Sequence, residues 1–473
     1  MPTTPLAPKR PHEITQHRQT RIDNYFWMRY REDPEVLKYL RAESDYLDEV
    51  MQHTKPLQEE LFQEMKGRIK ETDNSAPEKR GEYFYYTRTE EGKQYPIFCR
   101  KRGSLNAPEE ILLDQNKIAE GKTFCRIGAF SVSPDGNKLA YSVDPDGSEK
   151  CVLYIKNLVD DTLYPEQYEN TYGSVYDHTG VEWANDSQTF FYLTLDAAQR
   201  PDKLWRHALG TDPASDPLLF HEADETFFLF LLKSRSEKFI MTYHYSTVTR
   251  EMRFLPADDF NAKLTVLQPR QRGLEYYAEH HGDSFFILAN ENAQNFKLLR
   301  APVSAPSKEN WVEVIPHRAD TLIEHINAFR DFLVLEERRG GLKQLRISDP
   351  DGISNVRYVE FPEPAYTLYT EKNPEFDTPA FRFTYTSLVT PLSVVDFYIN
   401  SGKWEVVKEQ EIPSGYDKTR FVSERVFVAA PDGSVWLATD GGVARIEERV
   451  LRLRDKLLPV VDLRALLGFE RRP

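Results

Sequence analysis

Apolar residues near the start of the chain recur with helical spacing. Between residues 33 and 72 they fall largely three and four positions apart, at Val36, Leu37, Leu40, Leu47, Val50 and Met51, then at Leu57, Leu61, Phe62, Met65 and Ile69. Such residues share one face of an α-helix. Asp33-Pro34 is typical of a cap followed by a first-turn proline, and Pro56 disrupts a continuous helix because it lacks an N–H donor. The pattern predicts two amphipathic helices joined as a helical hairpin.

From about Gly81 the pattern changes to short aromatic and β-branched runs separated by turn residues, which is typical of consecutive β-hairpins. The turn signals recur every 47 to 51 residues or so, at Pro134-Asp135-Gly136, Asn185-Asp186-Ser187, Ser236-Glu237-Lys238, Gly282-Asp283-Ser284 and Arg330-Asp331. Two further units open at Glu82–Tyr86 and Phe381–Tyr385, which makes seven. Each interval holds three or four strand-like segments.

Four strands per unit at this period are typical of β-propeller blades. A pair of β-sandwiches has no reason to keep a 50-residue period, and the turn of a β-helix is much shorter. The predicted fold is therefore mainly β: a seven-bladed β-propeller preceded by an N-terminal helical segment.

Composition and charge narrow the function classes. The chain has 473 residues, of which 40% are hydrophobic and 29% charged, as in ordinary water-soluble globular proteins. Its 61 Lys+Arg and 75 Asp+Glu give a net charge of −14, which repels phosphate backbones and anionic lipid. The longest apolar run, Phe227–Leu232, has six residues, whereas a bilayer span needs about 20. Neither nucleic acid nor a membrane is an expected partner.

Cysteine usage and the N-terminus bear on location. Cys99, Cys125 and Cys151 are odd in number and form no CxxC pair, so neither a disulfide framework nor a zinc knuckle is indicated. Residues 1–21 lack the apolar stretch of about 7 to 15 residues that a secretory signal needs. The sequence therefore predicts a cytoplasmic protein.

Motifs that carry chemistry are missing from the 473 residues. A nucleophile elbow requires Gly-x-Ser-x-Gly, and the nearest segment, Gly282-Asp283-Ser284-Phe285-Phe286, lies at a predicted blade turn. His-Glu-x-x-His, a Walker loop and GxGxxG are absent as well. The sequence accordingly assigns no catalytic, cofactor-binding or metal-binding residue, and no cofactor is expected.

Three weaker features each have two interpretations. His280 and His281 would point to opposite faces of a strand, which disfavours a shared metal ion. The basic clusters Arg270-Gln271-Arg272 and Arg338-Arg339-Gly340-Gly341 could pair with a peptide carboxylate or an acidic partner, but solvated turn charge is favoured. The aromatic clusters Tyr83–Tyr86 and Glu275–Tyr277 are expected to pack between blades rather than to stack on a ligand.

A series of segments resembles, in order, the prolyl oligopeptidase family. The N-terminal ones are Asp23–Arg29, Pro34–Leu40 and Ala42-Glu43; Glu64–Asp73, Tyr85–Arg88 and Tyr95–Arg100 are similar to its oligopeptidase B (protease II) branch. The later ones are Gly273–Tyr276, Pro316–Arg318, Glu363–Thr367, Tyr385–Pro391 and Pro413–Asp417. The resemblance covers about residues 12–433.

This resemblance implies a seven-bladed propeller that caps an α/β-hydrolase domain, on which the N-terminal helices pack. It also implies cleavage of short peptides after Lys or Arg by a serine, aspartate and histidine in a C-terminal domain that starts just after Glu424–Phe427. The chain ends 40 residues beyond Gly433, so no catalytic residue is carried over. The expected division is a helical segment (1–75), a propeller (76–425) and a divergent tail (426–473).

The tail differs in composition, with eight Lys+Arg against five Asp+Glu between Gly442 and Pro473. A shifted reading frame or truncation is favoured; a gene fusion or a genuine tail, with Val460–Leu467 as a strand or short helix, is the alternative. The leading hypothesis is the propeller region of an oligopeptidase B-like serine peptidase, inactive alone. The alternative is a non-catalytic scaffold that binds a peptide or a protein, for example a hydrolase domain supplied in trans.

Overall fold

The computed structural model describes residues 2–174 and 179–425, together with the backbone of two strands between 435 and 446. The described residues divide into two compact units. The first comprises the residues up to Lys70 with Glu411–Tyr416, and the second comprises Glu71–Gln410 with the described residues from Asp417 onward. The predicted strand or short helix at Val460–Leu467 lies outside the described residues.

The first unit begins with a hairpin of β1 (His12–Gln16) and β2 (Gln19–Asp23), followed by a 3₁₀ turn and by α1 (Pro34–Met51) and α2 (Lys55–Gly67). Asp33 caps α1 by accepting a hydrogen bond from the Glu35 amide at 2.8 Å, and Pro34 occupies the first turn, where a missing N–H costs nothing. Pro56 lies in the first turn of α2. The predicted cap and the break between the helices are confirmed.

The apolar faces of α1 and α2 are exposed. Val36 is the sole buried residue in these two helices, whereas Leu40, Leu47, Leu61 and Met65 keep between 45% and 59% of their surface accessible. Both helices are amphipathic as predicted. Within them, however, these side chains do not bury one another as a packed helical hairpin requires.

The second unit is built from antiparallel β-strands. In chain order its first strands are β3 (Glu78–Arg80), β4 (Tyr83–Arg88), β5 (Ile97–Arg102), β6 (Glu109–Asp114), then α3 (Gln115–Ala119), β7 (Arg126–Val132), β8 (Lys138–Asp144), β9 (Cys151–Asn157), β10 (Leu163–Thr171), β11 (Val181–Trp183), β12 (Thr189–Leu195), β13 (Pro201–Ala208) and β14 (Leu218–His221). The next are β15 (Phe228–Lys233), β16 (Phe239–Tyr245), β17 (Arg250–Pro256), β18 (Thr265–Val266), β19 (Tyr276–His281), β20 (Ser284–Ala289), β21 (Lys297–Pro302) and β22 (Val312–Ile315). The last are β23 (Thr321–Ala328), β24 (Leu333–Arg339), β25 (Leu342–Ser348), β26 (Arg357–Tyr358), β27 (Tyr366–Thr370), β28 (Ala380–Ser387), β29 (Ser393–Tyr398), β30 (Trp404–Glu409), and the hairpin β31 (Val435–Thr439) and β32 (Gly442–Ile446).

These strands form sheets in sequence order. Five separate four-stranded meanders are β3–β6, β15–β18, β19–β22, β23–β26 and β27–β30, whereas β7–β14 form one eight-stranded sheet. Each of the five predicted turns lies between two consecutive antiparallel strands: Pro134–Gly136 joins β7 to β8, and Asn185–Ser187 joins β11 to β12. The period of about 50 residues is therefore confirmed.

The described residues of the second unit form five separate four-stranded sheets and one eight-stranded sheet, which is fewer separate sheets than the seven blades predicted. β10 pairs with β12 through Thr171 and Thr194, and the Tyr172 amide donates to the Leu193 carbonyl at 2.8 Å. The physical reason is the shortness of β11, which covers β12 only as far as Tyr192. The end of β12 is left as an open edge that β10 occupies.

Large apolar side chains pack between consecutive sheets and give a propeller-like arrangement. Met241 and Met252 of β16 and β17, for example, share a buried cluster with Tyr276 and Phe285 of β19 and β20. Tyr277 meets Tyr243 edge-on at 5.9 Å, as expected for the aromatic cluster around Glu275. Burial of each such side chain contributes about 1.5 to 3 kcal/mol.

Polar contacts bring the beginning and the end of this arrangement together. The Gly81 amide donates to Glu375 at 2.6 Å, and Arg382 donates to the Pro77 carbonyl at 2.5 Å. These contacts connect the β3–β6 region with the β27–β30 region by side chains.

Two further sequence predictions concern cysteines and membranes. Cys99, Cys125 and Cys151 are all buried and free, which agrees with the absence of a disulfide framework. In the part of the chain that the structure describes, no helix combines the length and apolar character that a bilayer span needs.

Candidate functional site

A cavity of about 570 Å³ lies where the first strands of several sheets converge. Its wall is supplied by β3, β7, β11, β15 and β19 and by the segment after β27, including Glu78, Arg80, Phe130, Glu182, Lys233, Arg235, Glu237, Tyr277, Glu279, His280 and Lys372. Strands from so many sheets can share a cavity only if it is central to the arrangement.

The alternation of side chains along each strand selects the residues that reach this cavity. In β11, Val181 and Trp183 are buried in the core, and Glu182 between them lines the cavity. The Trp183 ring nitrogen donates to the Ser131 carbonyl at 3.0 Å and so fixes β11 next to β7. In β19, the half-buried Tyr277 and Glu279 line the wall, and the buried Ala278 and His280 also contribute to it.

Arg235 crosses from the β15–β16 turn to two other parts of the chain. Its guanidinium donates to the Asn373 carbonyl at 2.8 Å, to the Ala328 carbonyl at 3.1 Å and to the Asn327 side chain at 3.0 Å. The same group lies 3.6 Å from Glu279. A planar fork of five N–H donors suits this kind of bridging.

The other charges of the cavity are balanced. Its wall contains four acidic side chains (Glu78, Glu182, Glu237 and Glu279) and four basic ones (Arg80, Lys233, Arg235 and Lys372). The Lys233 ammonium donates to the Asn185 side chain at 2.6 Å, and Arg80 lies 3.9 Å from Glu237. Mixed charge suits a ligand with both signs and polar backbone groups better than a polyanion.

Burial shifts the titration of several of these groups. It raises the pKa of Glu182 to about 7, against the opposing attraction of Arg80 and Lys233. Burial also raises the pKa of Glu279 and lowers the pKa of Lys233, because a low-dielectric environment disfavours the charged form. The net charge of the cavity therefore changes near neutral pH through Glu182.

The two histidines that the sequence singles out do not converge. His280 Nδ1 lies 2.7 Å from the Ser236 hydroxyl, whereas His281 Nε2 donates to the Arg330 carbonyl at 3.0 Å. Across the described ranges, no group of three His, Cys, Asp or Glu side chains is placed to hold a metal ion.

The contact between Ser236 and His280 does not build a triad. The Ser236 hydroxyl lies in the β15–β16 turn, 3.0 Å from the Ser234 hydroxyl. A working triad also needs a carboxylate on the second imidazole nitrogen and donors for an oxyanion, and the hydrogen bonds found among the described residues place none there. The pair is therefore a turn contact.

The two basic clusters differ. Arg339 is largely exposed and Arg338 partly so, and they pair with Asp320 and Glu324 respectively, as predicted for turn charge. For Arg270 the prediction of solvated turn charge is wrong. Its side chain is about three-quarters covered, pairs with the buried Glu222 and lies 3.8 Å over the Phe227 ring. A buried carboxylate needs a cationic partner, and this need was not visible in the local sequence.

Sequence reasoning also missed Glu182, Arg235 and Glu279. A usable signal was present, because Glu182 and Glu279 are charged residues in the otherwise apolar or aromatic first strand of a 50-residue unit. Arg235 had no such signal, since it follows the strand within a polar turn.

Comparison with known proteins shows which family this chain belongs to. The model of the prolyl oligopeptidase N-terminal β-propeller domain matches residues 5–410. Dipeptidyl aminopeptidase BI of Pseudoxanthomonas mexicana is 36% identical over 451 residues, and Protease 2 of Moraxella lacunata is 32% identical over 434 residues. The match covers 91% of this chain in both cases but 61% and 62% of those relatives.

A solved structure agrees with the sequence relatives. Oligopeptidase B from Leishmania major superimposes with a TM-score of 0.82 at 30% identity, and the match covers 92% of this chain and 64% of that one. The chain thus spans a little under two thirds of the proteins that it resembles. On the strength of the domain match and of these relatives, the chain belongs to the prolyl oligopeptidase family and contains its N-terminal propeller domain.

Proposed function

We propose that this chain is the propeller portion of an oligopeptidase B-like serine peptidase that acts on short peptides. The observation that carries the proposal is the propeller-domain match over residues 5–410, in a chain that spans about 61% of a peptidase relative. The 473 residues contain no nucleophile elbow. Catalytic serine, aspartate and histidine are therefore expected outside them, and the chain alone should hydrolyse no peptide.

In this proposal the central cavity admits the peptide. A volume of about 570 Å³ is in the range of ligand-sized sites and is too small for a folded domain. Its four carboxylates and four cations can each meet groups of opposite sign on an extended peptide. Arg235, tied to Asn327, Ala328 and Asn373, narrows the passage. The preference for Lys or Arg rests on the resemblance to oligopeptidase B.

The proposed architecture is a closed ring of seven blades. In the eight-stranded sheet, β10 and β12 share the single pair Thr171 and Thr194, whereas β12 and β13 share seven pairs. We therefore interpret β7–β10 and β11–β14 as two blades that touch at one edge. The proposed divisions remain 1–75, 76–425 and 426–473, and the proposed location is the cytoplasm.

A second role has one observation in its favour. The exposed apolar faces of α1 and α2 are typical of a surface that binds another protein. The chain could thus serve as a non-catalytic scaffold whose partner is a hydrolase domain supplied in trans or another protein.

The test separates these roles with an active-site label and a binding assay. The purified 473-residue chain is treated with a fluorophosphonate and with short peptides containing Lys or Arg, with full-length Moraxella Protease 2 as the positive control. We expect no label and no cleavage from the chain alone. The C-terminal remainder of Protease 2, about 38% of its length by the coverage above, is then added, and complex formation is measured by sedimentation.

The possible outcomes distinguish the peptidase-portion role from the scaffold role. Recovery of peptide cleavage in a complex supports the peptidase-portion proposal, whereas a complex that forms without cleavage supports the scaffold role. Labelling of the chain itself overturns both roles, because it requires a nucleophile that the proposal excludes. Failure to bind the C-terminal remainder, with a well-folded chain, overturns the peptidase-portion role and leaves the scaffold role.

A further inference from the structure

Glu182 has no paired cation, unlike two other carboxylates of the central cavity. Glu279 lies 3.6 Å from Arg235, and Glu237 lies 3.9 Å from Arg80. Among the residues that the structure describes, none forms an ion pair or a side-chain hydrogen bond with the Glu182 carboxylate. A carboxylate that is withdrawn from water without such a partner is costly, so this residue calls for an explanation.

The Glu182 side chain is fixed in position and open to the cavity. It stands on β11 between Val181 and Trp183, which are both buried in the core. Its own side chain is only partly covered and lines the cavity, together with the apolar Phe130 and Val132 of the neighbouring β7. A ligand in the cavity can therefore reach this carboxylate, and the apolar wall strengthens any attraction between charges there.

Three charged side chains face Glu182 from other elements: Arg80 of β3, Lys233 of β15 and Glu237 of the β15–β16 turn. Both cations have partners of their own, because Arg80 pairs with Glu237 and the Lys233 ammonium donates to Asn185 at 2.6 Å. Burial outweighs their attraction and raises the pKa of Glu182 to about 7. A carboxyl that holds a proton near neutral pH beside two cations is not neutralised by them, so a further positive charge is favoured there.

We propose that Glu182 is the ammonium-binding residue of the central cavity, and that its carboxylate accepts hydrogen bonds from a primary ammonium group of a short peptide. The inference rests on the proposed function of the cavity and adds to it a residue and a ligand group. A primary ammonium concentrates three N–H donors and one charge on a single atom, which suits one carboxylate between two engaged cations. The N-terminus of a peptide and a lysine side chain both supply this group.

The experiment compares three peptides by isothermal titration of the 473-residue chain at about pH 7. Trialanine amide carries a free N-terminal ammonium, N-acetyl-Ala-Lys-Ala amide carries an ammonium on its lysine, and N-acetyl-trialanine amide carries none. We expect at least one ammonium peptide to bind about tenfold or more tightly than the uncharged peptide, since a hydrogen bond to a charged group is worth about one factor of ten. The tighter of the two identifies the source of the ammonium.

Two variants assign the binding to Glu182. Glu182→Gln keeps the shape of the side chain but not its charge, so the ammonium peptide should bind no more tightly than the uncharged one. Arg80→Gln removes a nearby positive charge and should strengthen binding of the ammonium peptide about threefold, a gain that damage to the fold would not produce. Glu225→Gln, at an exposed position that does not line the cavity, is the matched control and should leave the affinity unchanged.

Binding should also depend on pH, because the ammonium takes the place of the proton on Glu182 and that proton is released to solvent. A carboxyl with a pKa of about 7 becomes protonated as the pH falls, whereas both ammonium groups stay charged. Affinity for the ammonium peptide should therefore fall about fivefold from about pH 7 to about pH 6. Glu182→Gln should lose this dependence.

Failure of this inference and failure of the proposed function give different results. If none of the three peptides binds, the cavity does not admit peptides and both are overturned. If all three bind equally, or if the affinity is the same at both pH values, the cavity admits peptides but Glu182 does not bind the ammonium. A preference for ammonium that survives in Glu182→Gln, or that Arg80→Gln weakens, also overturns the inference and places the cation at another carboxylate of the wall, such as Glu78.

Discussion

Arg235 Nε donates to the Asn373 carbonyl at 2.8 Å, although the two residues are 138 positions apart. Arg235 lies in the turn after β15, and Asn373 lies in the segment after β27. This hydrogen bond therefore spans the wall of the central cavity. Asn373 is in turn held by its own side-chain bonds to the Glu371 and Arg382 carbonyls, at 2.7 and 2.9 Å. The cavity is thus closed on one side by a polar bridge rather than by strand pairing.

Removal of this bridge should destabilise the second unit. Arg235→Ala leaves three acceptors without a donor and Glu279 without its cation, and the Arg235 side chain is only 14% exposed. We expect the free energy of unfolding in urea to fall by about 3 kcal/mol. Arg339→Ala, which removes an exposed ion pair with Asp320, is the control and should change it little. Equal losses of unfolding free energy in the two variants would contradict this prediction.

Glu222 should make stability fall in acid. Burial alone raises the pKa of this carboxyl, but hydrogen bonds from His244 and Arg270 outweigh it and lower the pKa to about 2, from 4.5. A group whose pKa is depressed on folding stabilises the protein above its unfolded pKa. That stabilisation, about 3 kcal/mol, is lost as pH falls from about 4.5 to about 2.

The test for Glu222 is the pH dependence of unfolding. Glu222→Gln should be less stable than the parent at neutral pH, because Arg270 loses its charged partner, and the difference should shrink across that acid window. A constant difference between the two proteins from neutral pH down to about 2 would contradict this assignment. Glu225→Gln, at an exposed position nearby, controls for the loss of one carboxylate.

Glu182 should affect the pH dependence of stability in the opposite direction to Glu222. Its pKa is raised by burial from 4.5 to about 7, so the folded protein binds a proton that the unfolded chain has released. Stability therefore decreases as pH rises from about 4.5 to about 7. Glu182→Gln should stabilise the protein by about 1 to 2 kcal/mol at about pH 8.5, after allowance for partial exposure, and have little effect at about pH 4. A carbon NMR titration of the carboxyl would measure the pKa directly, and a value near 4.5 would refute the prediction.

Local signals in the sequence predicted the local structure well. Asp33 and Pro34 mark the start of α1. Turns such as Pro134–Gly136 mark one hairpin in each predicted unit of about 50 residues, because backbone preferences act over a few residues. The family resemblance and the 50-residue period together predicted the propeller-like arrangement.

Features that depend on distant contacts were not predictable. The pairing of Thr171 with Thr194 depends on how far β11 covers β12, and no local pattern sets that length. Arg270 looked like turn charge because its partner, Glu222, lies 48 positions away. The central cavity was missed for the same reason. Glu182 and Glu279 stand out as charged residues in their own strands, but Arg235 does not, and the lining residues meet only after the sheets have assembled.

The exposed helices should make the chain self-associate. Leu57, Leu61, Phe62, Met65 and Ile69 are between 45% and 65% exposed, and an apolar surface of this kind favours contact with other molecules. We expect sedimentation velocity to show concentration-dependent association at micromolar protein. Leu61→Glu combined with Met65→Glu should shift the chain toward monomer without loss of stability, because neither side chain is buried.

The control for this prediction is Gln63→Glu, which adds charge on the side of α2 opposite its apolar face. It should leave association unchanged, since charge added away from this face does not interrupt it. Addition of the C-terminal remainder of Protease 2 should compete with self-association if the apolar faces of α1 and α2 contact a hydrolase domain, because one surface cannot serve both contacts. A parent chain that stays monomeric at every concentration, and that also resists proteolysis before residue 72, would contradict the prediction: its apolar helices would then be stable in water with no partner.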